Sequence, residues 1–322
     1  MKHIIAGCVL LLCTLTAQAA GFQSFEIPGP AGKPISLAIW YPSAAPAHAR
    51  QMGTFSQAVA SDGAVDGAGL PLVIVSHGTG GSRYGHVDTA LAMADAGFIV
   101  AALTHPGDNH ADNSDAADIL ARQQHIVTVL DYLLGAWPGG GHIAPSRVGM
   151  FGYSAGGFTA LVSIGGQPDL RKVLPYCAAH PAQFTCTLVA GRGAALARTT
   201  NAATPAMRER RIRAAVVVAP ALGFTFDAAA LAQVDIPVQL WRAEDDAILP
   251  SPWYAEHVRT ALPRAPEYHV VPRAGHFDFL APCTPMLASL APQICTSAQG
   301  FDRSDFHRRF NADVIGFFKA NL

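Results

Sequence analysis

The chain has 322 residues, half of them hydrophobic and only 14% charged, with a net charge of -1. That composition suits one large buried core in a single α/β domain and excludes a disordered chain. A balance so near neutral gives nothing that would draw the protein to nucleic acid.

Residues 1–20 stand apart from that core. Lys2 and His3 precede the apolar run Ile4 to Leu15, and Ala17-Gln18-Ala19-Ala20 follows, the pattern of a secretory signal peptide ending in an A-x-A cleavage site. A buried N-terminal helix is the plainer alternative, but the run is short for one. Ile5-Ala6-Gly7-Cys8 resembles a lipoprotein processing site, yet too few residues precede Cys8 to insert into a membrane. We therefore expect no stable membrane anchor, a periplasmic or secreted protein, and a folded domain over residues 21–322. Loss of Lys2 makes that domain one charge more negative.

Apolar, β-branched runs then recur at Ser36 to Trp40, Leu72 to Val75, Phe98 to Leu103, Val148 to Phe151, Ala215 to Val218, Val238 to Trp241 and Tyr268 to Val271. Most are continuous rather than alternating, as parallel strands covered on both faces should be. Helical spacing separates them at His86 to Ala96 and Ala116 to Leu134, and returns in Phe306, Phe310, Val314, Phe317 and Leu322. Strands alternating with amphipathic helices predict a mostly parallel, doubly wound sheet. Two stretches break the rhythm. Pro46 to Gly69, rich in Ala and Gly, reads as a loop, and Gly165 to Arg213 is too long for an ordinary connection. The second is a candidate cap over the site or, alternatively, a surface insertion.

With the leader gone, Cys177, Cys186, Cys283 and Cys295 remain, and four cysteines allow three pairings. The local pairs Cys177 with Cys186 and Cys283 with Cys295 are expected, each closing a short loop in an oxidising compartment. A zinc site is disfavoured because no C-x-x-C or matching histidine spacing occurs.

Gly152-Tyr153-Ser154-Ala155-Gly156 matches G-x-S-x-G between a predicted strand and a predicted helix. Glycines two residues either side let strand and helix pass closely, so the turn pushes the Ser154 hydroxyl out of the sheet. Serine needs a base, and the base needs a carboxylate to hold its tautomer. His276 in "VPRAGHFDF" follows the last strand, while Asp246 and its neighbour Asp245 in "RAEDDAILP" follow the strand before it. His257 reads as a helix-surface residue and His269 as packed within a strand. "VIVSHGTGGSR" ends an early strand in a glycine-rich turn, so the backbone N–H groups of Thr79 and Ala155 are the expected oxyanion donors. A phosphate loop is disfavoured, since its lysine signature is missing. His105, Asp108, His110 and Asp112 in "THPGDNHADNSD" could suggest a metal, but a polar loop rimming the cleft is the expected reading. Tyr153, Phe158, Phe224, Phe277 and Phe279 are candidates for an aromatic pocket lining or, equally, for core.

"VSHGTGG", "GYSAGG", "RAEDDAILP" and "AGHFDFLAPC" together resemble the α/β-hydrolase superfamily, specifically exported dienelactone-hydrolase-like proteins related to platelet-activating-factor acetylhydrolases. The resemblance implies the α/β-hydrolase fold with a cap insertion about 165–213, and a serine ester hydrolase with Ser154 as nucleophile, Asp246 as acid and His276 as base. Because the sequence shows no long exposed apolar helix of the lid type and offers a compact aromatic set, a small-molecule, short-acyl ester substrate is expected, with no metal or organic cofactor. Two positions depart from the pattern: dienelactone hydrolases proper carry cysteine where this chain has Ser154, and the acetylhydrolases take their acid one strand earlier, where "VVVAPALGF" has none. Serine peptidase, acyltransferase and non-catalytic binding protein are the alternatives on the same fold. The sequence does not specify an oligomeric state.

Overall fold

The computed structural model describes residues 19–190 and 208–322. Ten strands form one sheet: β1 (Ala19–Ile27), β2 (Ile35–Ser43), β3 (His48–Met52), β4 (Phe55–Ser61), β5 (Leu70–Ser76), β6 (Ile99–Thr104), β7 (Ile143–Tyr153), β8 (Ile212–Val218), β9 (Val238–Ala243) and β10 (Glu267–Val271). Their spatial order is β10-β9-β8-β7-β5-β6-β2-β1-β4-β3. The stretch from β6 to β10 is parallel throughout. β2 runs antiparallel to both β1 and β6.

Both sheet faces are covered, which is why these strands read as continuous apolar runs. Leu72 and Ile74 of β5 join one core layer, while Val73 and Val75 join the other. The first layer is closed by α2 (Ala121–Gly135) and α3 (Ala155–Ser163), the second by α1 (Val87–Asp95) and the C-terminal helix Arg303–Asn321. Asp302 caps that last helix by accepting the Asp305 N–H, leaving Phe306, Phe310, Val314 and Phe318 to pack inward. No helix among the described residues is long and apolar enough to cross a membrane.

Two expectations need correction, the reading of Pro46 to Gly69 as a loop and the start of the helix expected from Ala116. Pro46 to Gly69 is not all loop: β3 and β4 pair antiparallel from His48 opposite Val59 to Met52 opposite Phe55, turning at Gly53, whose φ of +60° suits a two-residue hairpin. The hairpin lies at the sheet edge with β3 exposed except for Met52, so it lacks the apolar pattern of a buried strand. β1 begins at Ala19 and pairs Ala19 and Ala20 with Ser43 and Pro42, two residues before the end of the expected leader; the rest of that leader lies outside the described residues. Helix α2 starts at Ala121 rather than Ala116, because turns that bond Asp115 N–H to Gly107 occupy the preceding residues.

The Gly165 to Arg213 insertion is described over residues 165–190 and 208–213. It forms α4 (Val173–Ala179) and α5 (Phe184–Val189), joined by a Cys177–Cys186 disulfide. A second disulfide joins Cys283 and Cys295. Both are the pairs expected from sequence. Residues 191–207 of the insertion lie outside the described residues.

Burial has a cost in acid. His86 packs edge-on against Phe151 and Tyr153 at centroid distances of 5.0 and 5.2 Å, and burial pushes its pKa from 6.5 down to about 4. His125 is likewise pushed down to about 4, by burial and then by the Arg122 charge. Between those values the unfolded chain binds protons that the folded one does not. Stability is therefore complete above about pH 6.5 and lost as pH falls toward 4, by about 3 kcal/mol for His86 alone. Thermal melts from pH 7.5 to 4.5 should show this acid limb, and His86→Leu should flatten it; parallel curves for the two proteins would reject the assignment.

Candidate active site

The loops that leave β5, β6, β7, β8, β9 and β10 all open at the carboxyl end of the parallel strands, where ligands bind in open α/β sheets. β7 ends at Tyr153 and α3 begins at Ala155, so Ser154 is the whole turn between them. Its backbone has φ +55° and ψ -116°, a strained conformation for a residue with a Cβ. Hydrogen bonds hold it there: Ser154 N–H donates to Val218 (2.9 Å), and its carbonyl accepts from Phe158 (3.1 Å) and Ala221 (3.0 Å). The flanking glycines are steric necessities. A Cβ on Gly152 would collide with the Gly156 carbonyl, and one on Gly156 with the Ser76 carbonyl.

The strand-end loops bring the sequence candidates together. The Ser154 hydroxyl donates to His276 Nε2 at 3.1 Å, and His276 Nδ1–H donates to Asp246 Oδ2 at 2.7 Å. All three residues are buried. Asp246 Oδ1 accepts the N–H groups of Ile248 (2.9 Å) and Leu249 (2.7 Å). Burial pushes the Asp246 carboxyl up, but His276 and these backbone donors outweigh it and hold the pKa below its ordinary value. Asp245 is exposed and takes no part; its N–H donates to Ala274 at 3.0 Å.

The His276 loop is braced by Asp278 and Arg303, which sequence reasoning missed, and by Tyr153 of β7, which it offered only as pocket lining or core. Tyr153 donates from its hydroxyl to the His276 carbonyl (3.0 Å), and burial pushes its pKa well above the usual range. Asp278 accepts Gly275 N–H (2.8 Å), Ser297 Oγ–H (2.5 Å) and Arg303 Nε–H (3.0 Å), with Arg303 also reaching the Ile294 carbonyl inside the second disulfide loop. Asp278 and Arg303 form a buried ion pair that fastens the His276 turn. The available signal was a carboxylate two residues past His276 in an otherwise apolar stretch.

Thr79 and Ser154 share a pocket, and Ala155 is the first residue of α3. Neither the Thr79 nor the Ala155 N–H donates to a protein acceptor among the described residues, so both are available to a ligand oxygen. The rest of the wall is mainly aliphatic. Leu170, Val173, Phe184 and Leu188 come from the insertion, Leu222 and Leu249 from the β8 and β9 loops. The five aromatics proposed from sequence do not line it. Phe158 packs on Phe226, Phe279 on Phe306 and Phe310, and Phe224 stacks on Tyr176 at 3.8 Å. Tyr153 and Phe277 both lie against the His276 ring.

The "THPGDNHADNSD" loop divides. His110 and Asp112 face solvent, whereas His105 and Asp108 are buried beneath the Thr79 turn rather than on the cleft rim. The four do not converge on one point. Among the described residues no three His, Cys, Asp or Glu side chains are grouped to hold a metal ion. His269 stacks on Trp241 at 3.9 Å, and His257 is half-buried on the helix Ala255–Ala261.

Comparison with known proteins adds to this geometry. A family model described as platelet-activating factor acetylhydrolase, isoform II, matches residues 48–130. No curated protein matches the chain. Among solved structures, a ferulic acid esterase from Streptomyces cinnamoneus is similar at 18% identity and a TM-score of 0.61, over 96% of this chain and 91% of that one. A dienelactone hydrolase from Anabaena variabilis is similar at 16% identity and a TM-score of 0.52, over 94% and 99%. The chain is therefore an α/β-hydrolase by fold, similar across residues 48–130 to the platelet-activating factor acetylhydrolase isoform II family.

Proposed function

We propose that the protein is a serine ester hydrolase that works through an acyl-enzyme, with Ser154 as nucleophile, His276 as general base and acid, and Asp246 as the carboxylate that orients it. The observation that carries this reading is the continuous relay from Ser154 to His276 to Asp246, at 3.1 and 2.7 Å, opening on an apolar pocket. Ser154 Oγ attacks the ester carbonyl as its proton passes to His276 Nε2, and Asp246 stabilises the imidazolium. The Thr79 and Ala155 N–H groups receive the developing oxyanion. Collapse expels the alcohol, which takes the proton from His276. Water, deprotonated by the same imidazole, then releases the acid and regenerates Ser154. The names of the structural neighbours, an esterase and a lactone hydrolase, support ester cleavage over the peptidase, acyltransferase and binding readings.

The described part of the insertion acts as a cap: Leu170, Val173, Phe184 and Leu188 line the pocket that holds Ser154, and the disulfide joins α4 and α5, which carry the last three. The leader pattern in residues 1–20 together with two disulfides supports export to an oxidising compartment. The substrates are small, uncharged or weakly charged esters with short acyl chains. A panel of p-nitrophenyl esters from acetate to palmitate, with a peptide amide beside it, tests this. The expected result is a kcat/KM that peaks at short acyl chains, with the amide slowest. A value rising toward palmitate, or faster amide than ester cleavage, would favour a lipase or a peptidase instead.

A further inference from the structure

Beneath the Thr79 turn lies a buried polar cluster that the chemistry above does not use. Arg122, from α2, donates through Nη2 to the His77 carbonyl at 2.6 Å. Asp108, from the loop after β6, accepts the Gly80 N–H through Oδ1 at 3.1 Å. The two side chains form an ion pair, Arg122 Nε to Asp108 Oδ2, at 3.7 Å, and are only 2% and 3% exposed. The peptide units on either side of Gly78 and Thr79 are thus each tied to one member of a buried pair. Gly78 is pressed against the nucleophile from the other side: a Cβ there would come within 3.1 Å of the Ser154 Cβ.

Between the two peptide units held by this pair, His77 holds the Gly78–Thr79 peptide itself, and His105 supports His77. His77 Nδ1–H donates to the Gly78 carbonyl (2.6 Å), and His77 Nε2 accepts the His105 N–H (3.0 Å). His105 in turn meets Ser76 Oγ (2.9 Å) and His125 (3.0 Å). Burial, reinforced by the Arg122 charge, pushes His77 and His105 well below their ordinary range. They are therefore neutral, and Arg122 is the cation of the cluster. Isolating an ion pair from water is costly, and an apolar pair of similar volume is often as stable. What an apolar pair could not do is hold two specific backbone groups of one turn.

We propose that Arg122 and Asp108 are positioning residues that fix the Thr79 N–H as an oxyanion donor before substrate arrives. The proposal rests on the ester-hydrolase reading. A donor held in place avoids reorganisation at the moment charge develops, and loss of a single such donor costs on the order of 100- to 1000-fold in turnover. Loosening it through its supports should cost less. For the double variant Arg122→Met/Asp108→Leu, kcat for p-nitrophenyl acetate should fall by roughly 10- to 100-fold, counted per site titrated with a fluorophosphonate. KM should stay within about threefold, because ground-state contacts are untouched. Affinity for an alkyl boronic acid, which places a tetrahedral oxygen at the donors, should fall by the same factor as kcat, while affinity for the carboxylate product is unchanged. Asp108→Asn, which keeps an acceptor for Gly80, should retain most of the activity. Arg122→Lys keeps the buried charge but cannot reach both partners; it provides the same reading if the double variant fails to fold. Full kcat per titrated site in either the double or the Lys variant, or boronate affinity that does not follow kcat, overturns the proposal alone. A wild-type protein without esterase activity, or Ser154→Ala as active as wild type, overturns the ester-hydrolase reading and this proposal with it.

Discussion

Ser154→Ala is expected to lower turnover of a short-chain ester by roughly three or more orders of magnitude while leaving the fold intact. Removal of Oγ leaves binding and the backbone donors in place, so a residual rate remains. The backbone of the turn does not depend on the hydroxyl: its positive φ is held by bonds to Val218, Phe158 and Ala221 that alanine retains. The one side-chain bond lost is that to His276, which stays oriented by Asp246 and by Tyr153 beneath its carbonyl. Wild-type protein treated with a fluorophosphonate should carry a single adduct at Ser154, and the alanine variant none. An adduct on another residue, or a variant within tenfold of wild type, would remove Ser154 from the mechanism.

How far the sequence revealed this arrangement depended on the range of the interaction concerned. The inner stretches of β5 to β9 were legible because both faces are buried, so each is a plain apolar run, whereas the edge strand β10, buried only at Val271, was read from Tyr268 to Val271. β3 and β4 were not, because the edge hairpin buries little beyond Met52, Val59 and Ala60, and β1 was masked by its overlap with the leader pattern. The local disulfide pairs were legible from spacing. Ser154, His276 and Asp246 could be nominated because each follows directly on a strand end, and chain order restricts the choice. Their supports could not. Arg122 meets His77 across 45 residues and Arg303 meets Asp278 across 25, pairings fixed only when helices dock on the sheet. The aromatics misled for a related reason. A Phe near a site can turn toward the core as readily as toward the pocket, and Phe158 and Phe279 are fully buried in the two layers that flank the sheet.

Asp246→Asn should cost roughly two to four orders of magnitude in kcat, whereas Asp245→Asn should stay within about threefold of wild type, as exposed substitutions away from such a site usually do. Both residues sit in the loop after β9, and adjacent side chains in a turn point in different directions. Only Asp246 turns inward, where its Oδ1 is anchored by Ile248 and Leu249 and its Oδ2 meets His276; Asp245 faces solvent. An amide at position 246 can still accept from the backbone through its oxygen, so the loop should keep its shape. It then presents an NH2 group to His276 Nδ1, which favours the tautomer with its proton on Nε2. That tautomer cannot take the Ser154 proton, and no carboxylate remains to stabilise the imidazolium. The loss should therefore fall on kcat rather than on KM or on the melting temperature at neutral pH. Comparing kcat, KM and thermal melts for the two single variants is the test. If Asp245→Asn loses more activity than Asp246→Asn, the acid has been assigned to the wrong residue.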